Sequence, residues 1–331
     1  MTNIRYDVVG IGNAIVDIIG RCDEAFLARH GAPKGHMRLV DEATVSALYA
    51  AMGPAIEISG GSAANTMVGL ASFGSRGAFI GKVADDELGR IFRHDIRAAG
   101  VAFDSQPVAN RAPTSRSLIL VTPDGERTMN TFLGISTDLD HGAVDGDLIR
   151  ASAVVYLEGY LFDRPEAKAA FWQAAQIART AGRQVALTLS DSFCVDRHRA
   201  EFLDLIRNGV DILFANESEI TSLYETSFEE AARRTAEDTR LAALTRSAKG
   251  SIIAAEGKFL EIPVDPVAHV VDTTGAGDLY AAGFLHGIAR GASLDTAGRL
   301  GSLAAAEIIG HIGARPEANL GELAKSRGIA A

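Results

Sequence analysis

A central, mostly parallel β-sheet with helices on both faces is the α/β architecture to expect of this chain. From Ala153 onward strand-like runs alternate with helical ones: Ala153–Leu157, Pro165–Ala181, Gln184–Leu189, a helix around 196–207, Ile212–Phe214 and Leu241–Thr245. Strands separated by helices pair in parallel and are covered on both sides. The glycine turns fall at strand ends, where such sheets gather their sites. With 331 residues, 47% of them hydrophobic, there is ample material for a core.

Tyr6-Asp7-Val8-Val9-Gly10-Ile11-Gly12 reads as a buried strand entering a glycine turn. It falls short of a dinucleotide fingerprint, because Ile15 stands where a third glycine is needed. Asn13 and Asp17 at this strand end suit vicinal hydroxyls, since an amide donates and accepts and a carboxylate accepts twice. Two turn-formers satisfying local backbone are the alternative. Gly31-Ala32-Pro33-Lys34-Gly35 marks a loop, and Asp41 to Met52 a short amphipathic helix. Ile56-Glu57-Ile58 alternates like a half-exposed strand. Next, Ser59-Gly60-Gly61-Ser62-Ala63-Ala64-Asn65-Thr66 opens a helix that stops at Gly74. The glycine pair admits a ligand to the backbone, and Asn65 faces the same opening; close helix packing is the other use of such small residues. Asp85 is expected to cap a helix ending near Gly100. Ser117–Val121 and Arg127–Thr131 flank the hairpin turn Pro123-Asp124-Gly125.

In the second half, Pro165 starts a helix and Gly182 ends it. Asn216 and Glu219, three apart after a strand, form either a helix cap or a hold on Mg²⁺-bound water. Thr245-Arg246-Ser247-Ala248-Lys249-Gly250 is a turn between strands, and Leu303 to Gly310 a packed helix. The eight histidines have no metal spacing, and His286 reads as a core residue.

The most informative stretch is Val270-Val271-Asp272-Thr273-Thr274-Gly275-Ala276-Gly277-Asp278, read as a strand end, a glycine turn and the start of an apolar helix. The amides of Gly275, Ala276, Gly277 and Asp278 would lie free at a helix start, a natural anion site. Asp278 inside it suits a base that takes the proton from an attacking hydroxyl, or simply a helix cap. It is not a Walker A loop, because no Lys-Ser/Thr follows.

Composition narrows the partners. A net charge of −10 argues against nucleic acid. Cys22 and Cys194 make no disulfide framework and fit a reducing, cytoplasmic setting. Met1-Thr2-Asn3-Ile4-Arg5 shows no signal segment, and no apolar run reaches the ~20 residues of a membrane span.

Asp272–Asp278 resembles the C-terminal signature of the ribokinase-like, or PfkB, family of carbohydrate and nucleoside kinases. Ser59–Thr66 and Gly77–Gly89 resemble its N-terminal signature, in which the second glycine (here Gly61) and the Asn (here Asn65) bind sugar hydroxyls. The resemblance implies ATP with Mg²⁺, Asp278 as base, and Gly275, Ala276 and Gly277 stabilising developing charge. It implies that Asn216, Glu219, Thr245, Lys249, Gly250 and Thr273 serve the nucleotide, with Glu219 reaching the metal through water. The loop match is loose, since Arg246 and Ser247 stand where glycine is frequent. A potassium ion beside Asp272 and Thr274 is a further family feature.

The family's organisation implies a small β-rich lid from 21–59 and 107–136, over a large α/β domain of 1–20, 60–106 and 137–331. The lid arginines Arg38, Arg116 and Arg127 either steer anions or, the more expected use of any one of them, lie on a solvated face. The four-residue step from Asn13 to Asp17 is similar to members that phosphorylate the 5′-hydroxyl of adenosine; Thr274 departs from the Asn of familiar eukaryotic ones. On that reading Asn13, Asp17, Gly61 and Asn65 hold the ribose, while Met37, Leu39, Phe132 and Leu133 sandwich the base. Ribose, fructose, inosine or guanosine as acceptor, and a silent nucleoside-binding module, are the alternatives. Monomer and homodimer both stay open.

Overall fold

The computed structural model describes residues 3–329; Met1 and Thr2, part of the start read above as signal-free, lie outside the described residues. The strands run β1 (Tyr6–Ile11), β2 (Ile15–Arg21), β3 (Met37–Leu39), β4 (Ala55–Gly60), β5 (Gly77–Ile80), β6 (Ser115–Val121) and β7 (Arg127–Phe132). They continue with β8 (Ser152–Glu158), β9 (Gln184–Thr188), β10 (Ile212–Asn216), β11 (Leu241–Thr245), β12 (Ser251–Ala255) and β13 (Lys258–Ile262).

Among the described residues these strands form two sheets. The larger has eight strands in the order β13-β12-β11-β10-β9-β8-β1-β5. It is parallel from β5 to β11 and antiparallel at β12 and β13. Side chains alternate across a strand, so Val154 and Tyr156 enter one core while Val155 and Leu157 enter another. That two-sided burial is why these strands read as nearly unbroken apolar runs. Helix Pro165–Thr180 covers one face with Ala167, Ala170, Phe171, Ala174, Ala175 and Ala178, a stripe at helical spacing. Helices Ser62–Ser72 and Ala276–Ala289 cover the other.

The smaller sheet has five strands in the order β3-β7-β6-β2-β4. One of its faces, carrying Val16, Ile18, Leu118 and Leu120, joins the same core as the large sheet. The opposite face carries Asp17, Met37, Leu39 and Ile56.

Several expectations are corrected here. β2 belongs to the small sheet, so the domain boundary placed at residue 20 falls instead at Gly12–Ala14, where the chain leaves one sheet for the other. Residues 24–29, which show no long helical period, form a short helix capped by Asp23. Asp86, not Asp85, caps helix Glu87–Ala98, its carboxylate accepting from the Gly89 amide at 2.8 Å. Val270 and Val271 are not in a strand: they are exposed, and among the described residues Val271 pairs through its N–H to the Ile309 carbonyl. Pro263 and Pro266, which lack N–H donors, stand between β13 and this segment and cannot continue the ladder.

Candidate active site

In the large sheet the chain order reverses at β1, which lies between β8 and β5. A crevice opens at such a reversal, outside the C-terminal ends of the strands. Glu158 ends β8 on one side of it and Asn13 follows β1 on the other. Glu158 Oε1 accepts from Asn13 Nδ2 at 2.7 Å and Oε2 from the Ala63 amide at 2.9 Å. One buried carboxylate therefore ties both strand ends to the start of helix Ser62–Ser72. Burial pushes its pKa up to about 7 against the N–H bonds it accepts.

Two helix starts converge beside it. Gly61 caps Ser62–Ser72 and Gly275 caps Ala276–Ala289, neither with a side-chain hydrogen bond. Both need glycine. Gly61 has φ +98, and a Cβ there would sit 2.2 Å from the Asn13 carbonyl oxygen; Gly275 has φ +77 and faces Ala314. The turn before the second helix is bound internally: Asp272 Oδ1 accepts from the Thr274 amide and the Thr273 carbonyl from the Ala276 amide. This corrects one expectation, because Ala276 N–H closes the turn and is not free. The amides of Gly275, Gly277 and Asp278 donate to no other described residue. Thr273 stands exposed at the turn.

Asp278 lies between the two starts. Its Oδ1 accepts from Ser62 Oγ at 2.6 Å and its Oδ2 from Asn65 Nδ2 at 3.2 Å. Burial raises its pKa, while the Ser62 and Asn65 hydrogen bonds and the Arg315 charge restrain the rise. Having spent its N–H on Asp278, Asn65 keeps Oδ1 buried and unpartnered. Arg315 is half-buried, donating to the Ser59 carbonyl at 2.9 Å and the Ala64 carbonyl at 3.1 Å, which anchors the Ser59–Gly61 turn. Burial brings its pKa down to about 10, with Asp95, Asp17 and Asp278 opposing the drop, so it stays a cation at neutral pH.

Asp17 points into this region from the open face of the small sheet, in the space left by Gly60, where a Cβ would come 2.3 Å from its Oδ2. Burial lifts its pKa to about 6 against the pull of Arg315 and Arg127, and Asp278 adds to the rise. Asn13 does not face outward with it: Asn13 Oδ1 accepts from Ser136 Oγ at 2.8 Å and its amide serves Glu158. The base sandwich is also corrected. Met37 pairs with Met129 on the Asp17 face, whereas Phe132, odd by one in the register, packs on the core side. Side chains of opposite parity cannot close on one ring.

Asn216 and Thr245 are neighbours at the ends of β10 and β11. Asn216 caps helix Glu217–Tyr224, and both Glu219 oxygens accept from it, at 2.9 Å from N–H and 2.6 Å from Nδ2. Glu219 is buried, which pushes its pKa to about 7, and the Asp278 charge contributes to that rise. Lys249 pairs with Glu217 at 3.2 Å, and Gly250 turns the chain at φ +82. Among the described residues no three acids, histidines or cysteines could cage a metal.

Residue-level reading missed Ser62, Glu158, Ser136 and Arg315. Ser62 follows Gly61 directly, and a carboxylate closing the apolar run of β8 was a usable signal. Arg315 had none, since its partners lie some 250 positions away.

The sequence profile of the pfkB family carbohydrate kinases matches residues 57–319. The crystal structure of adenosine kinase from Sinorhizobium meliloti superimposes with a TM-score of 0.91 at 52% identity, over 98% of this chain and 99% of that one. A probable sugar kinase protein from Rhizobium etli CFN 42 superimposes at 0.92 with 50% identity, over 100% of both chains. Adenosine kinase from Saccharomyces cerevisiae is 26% identical over 92% of this chain and 95% of its own. The chain belongs to the PfkB family, ATP-dependent kinases that transfer a phosphoryl group to a hydroxyl of a sugar or nucleoside.

Proposed function

We propose that the acceptor is the 5′-hydroxyl of a nucleoside, adenosine before others, so that the products are AMP and ADP. The observation that carries this reading is the shared sheet face of Asp17, Met37 and Met129. A ribose needs a hydroxyl acceptor and a purine needs an apolar neighbour, and this face has both. The 52% identity to the Sinorhizobium meliloti enzyme supports the same acceptor. Buried Asn65 Oδ1, an acceptor without a donor, suits a second ribose hydroxyl.

In the reaction so read, Asp278 takes the proton of the 5′-hydroxyl as its oxygen bonds to the γ-phosphorus. The bond from that phosphorus to the β–γ bridging oxygen breaks, and ADP leaves. Ser62 and Asn65 fix the carboxylate toward the hydroxyl. The free amides of Gly275, Gly277 and Asp278 meet the charge on the transferring group.

The donor set fits magnesium only through water. Glu219 spends both oxygens on Asn216, so it offers outer-sphere contact, and Mg²⁺ commonly keeps several waters. When bound, the ion neutralises charge on the ATP phosphates. Asn216 and Thr245 at the ends of β10 and β11, and Lys249 and Gly250 in the turn before β12, are read as the nucleotide contacts that the family resemblance implies.

A sugar acceptor is the rival, favoured by the 50% identical probable sugar kinase. ADP formation with adenosine, inosine, ribose and fructose side by side separates them. Adenosine should exceed each sugar in kcat/KM by at least about tenfold, the worth of one good hydrogen bond. A sugar at the head of the panel sinks the nucleoside reading.

A further inference from the structure

The turn before Asp278 depends on Asp272, and both oxygens of Asp272 are occupied. Oδ1 accepts from the Thr274 amide at 3.0 Å; Oδ2 accepts from the Gly313 amide at 3.0 Å and from Arg127 Nη1. Arg127 belongs to β7 in the small sheet, so this ion pair crosses between the two sheets. It is sealed, with side-chain exposure of 8% for Arg127 and 6% for Asp272. The same guanidinium lowers the pKa of Asp17, so its charge also reaches the acceptor side. This corrects the expectation of a solvated lid arginine.

The family likeness places a potassium ion beside Asp272 and Thr274, and the residues present do not fit one. Potassium would need oxygens free to face it. Here the Asp272 carboxylate is filled by two amides and a guanidinium, and the Thr274 amide points at Oδ1. A second cation at this carboxylate would be repelled by Arg127 across a water-poor gap.

We infer that Arg127 is a positioning residue that takes the place of a monovalent cation at Asp272, holding the Asp272–Gly275 turn and tying it to the small sheet. The kinase therefore works without potassium. Because the guanidinium comes from β7, the turn is set only when the small sheet is seated against it, which a free ion would not require.

The inference rests on the kinase reading, so its test pairs a rate with a measurement that needs no turnover. ADP formation from ATP, Mg²⁺ and the best acceptor is compared in chlorides of potassium, sodium and tetramethylammonium at one ionic strength. The Tm is measured in the same three solutions. The native protein should give one rate, within about twofold, and one Tm in all three. Arg127→Gln should lose rate in tetramethylammonium and recover part of it in potassium alone, with a potassium-specific rise in Tm. Activation of the native protein by potassium, or a potassium-specific rise in its Tm, overturns the inference. So does an Arg127→Gln protein that folds and matches the native rate in every salt, or that stays inactive in every salt with no potassium-specific Tm rise. If Arg127→Gln does not fold, the native series alone decides. Absence of ADP with any acceptor in any salt sinks the kinase assignment instead, and the Tm series still reads the site.

Discussion

In the eight-stranded sheet, neighbours such as Val154 and Val155 disappear into two different cores; in the five-stranded sheet Ile18 is fully buried while Met37 stands 49% exposed. The carboxylates follow the same division. Asp278 and Glu158, at the large sheet, are held by side chains and amides of helix Ser62–Ser72. Asp17, on the small sheet, is held mainly by the fields of Arg315 and Arg127 and by the room at Gly60. A sheet covered twice fixes groups to fractions of an ångström, which suits chemistry. A sheet covered once leaves a surface for a substrate, and its charges must be balanced from outside. Substitutions at the two kinds of position should therefore separate rate from affinity.

The largest effect is expected at Asp278. Asn keeps the size of the side chain and can still accept from Ser62, but it cannot take a proton. Losing a general base costs ~10²–10⁴ in rate. Asp278→Asn should lower kcat by about that factor and leave the acceptor KM within about threefold. Steady-state kinetics with the best acceptor check it. A kcat near the native value would remove Asp278 from the chemistry and erase the contrast with Asp17.

Asp17 is the counterpart, and its effect should be smaller and fall on affinity. A hydrogen bond to a charged group is worth roughly 1.5–3 kcal/mol, so Asp17→Ala should raise the acceptor KM about 10- to 100-fold with a lesser change in kcat. The pH dependence has a definite sign. Asp17 must be ionised to accept two hydroxyls, and its pKa is about 6, so native kcat/KM should fall as pH drops through that value. For stability the same shift runs the other way. The unfolded carboxyl ionises near 3.8 and the folded one near 6, so this group disfavours folding increasingly from pH 3.8 to 6 and by a constant amount above. A pH profile of Asp17→Ala that keeps the acid limb at 6 would assign that limb to another group.

The turn at Asp272–Asp278 and the pair Gly61 and Asn65 were legible because their chemistry is local: positive φ, a short polar run, a helix start. β1 and β8–β11 were legible because burial on both faces leaves unbroken apolar runs. What stayed hidden depended on contacts far apart in the chain. Arg127 and Asp272 are 145 positions apart, as are Asn13 and Glu158, and nothing near either residue names its partner. The passage of the chain from one sheet to the other at Gly12–Ala14 is unmarked, because Ile15-Val16-Asp17-Ile18-Ile19 of β2 is nearly as apolar as β1 and reads on from it. Phe132 and Met37 look equally apolar, and only the register separates their faces.

The smallest effect on the fold is expected at Met37, and there the open face is tested directly. Ile18→Ala, in the sealed face, should cost about 2–5 kcal/mol through the lost side chain and its cavity. Met37→Ser removes an exposed edge-strand side chain, so unfolding by denaturant should stay within about 0.5 kcal/mol of native. Its consequence should appear in binding instead. If the Asp17 face receives a purine, Met37→Ser takes apolar contact from the ring and should raise the adenosine KM several-fold, with the KM for ATP unchanged. A ribose or fructose KM should not respond, because a sugar held at Asp17 and Asn65 carries no aromatic base to lay against β3. An adenosine KM unmoved by Met37→Ser would leave the hydroxyl clamp intact and place the base away from this face.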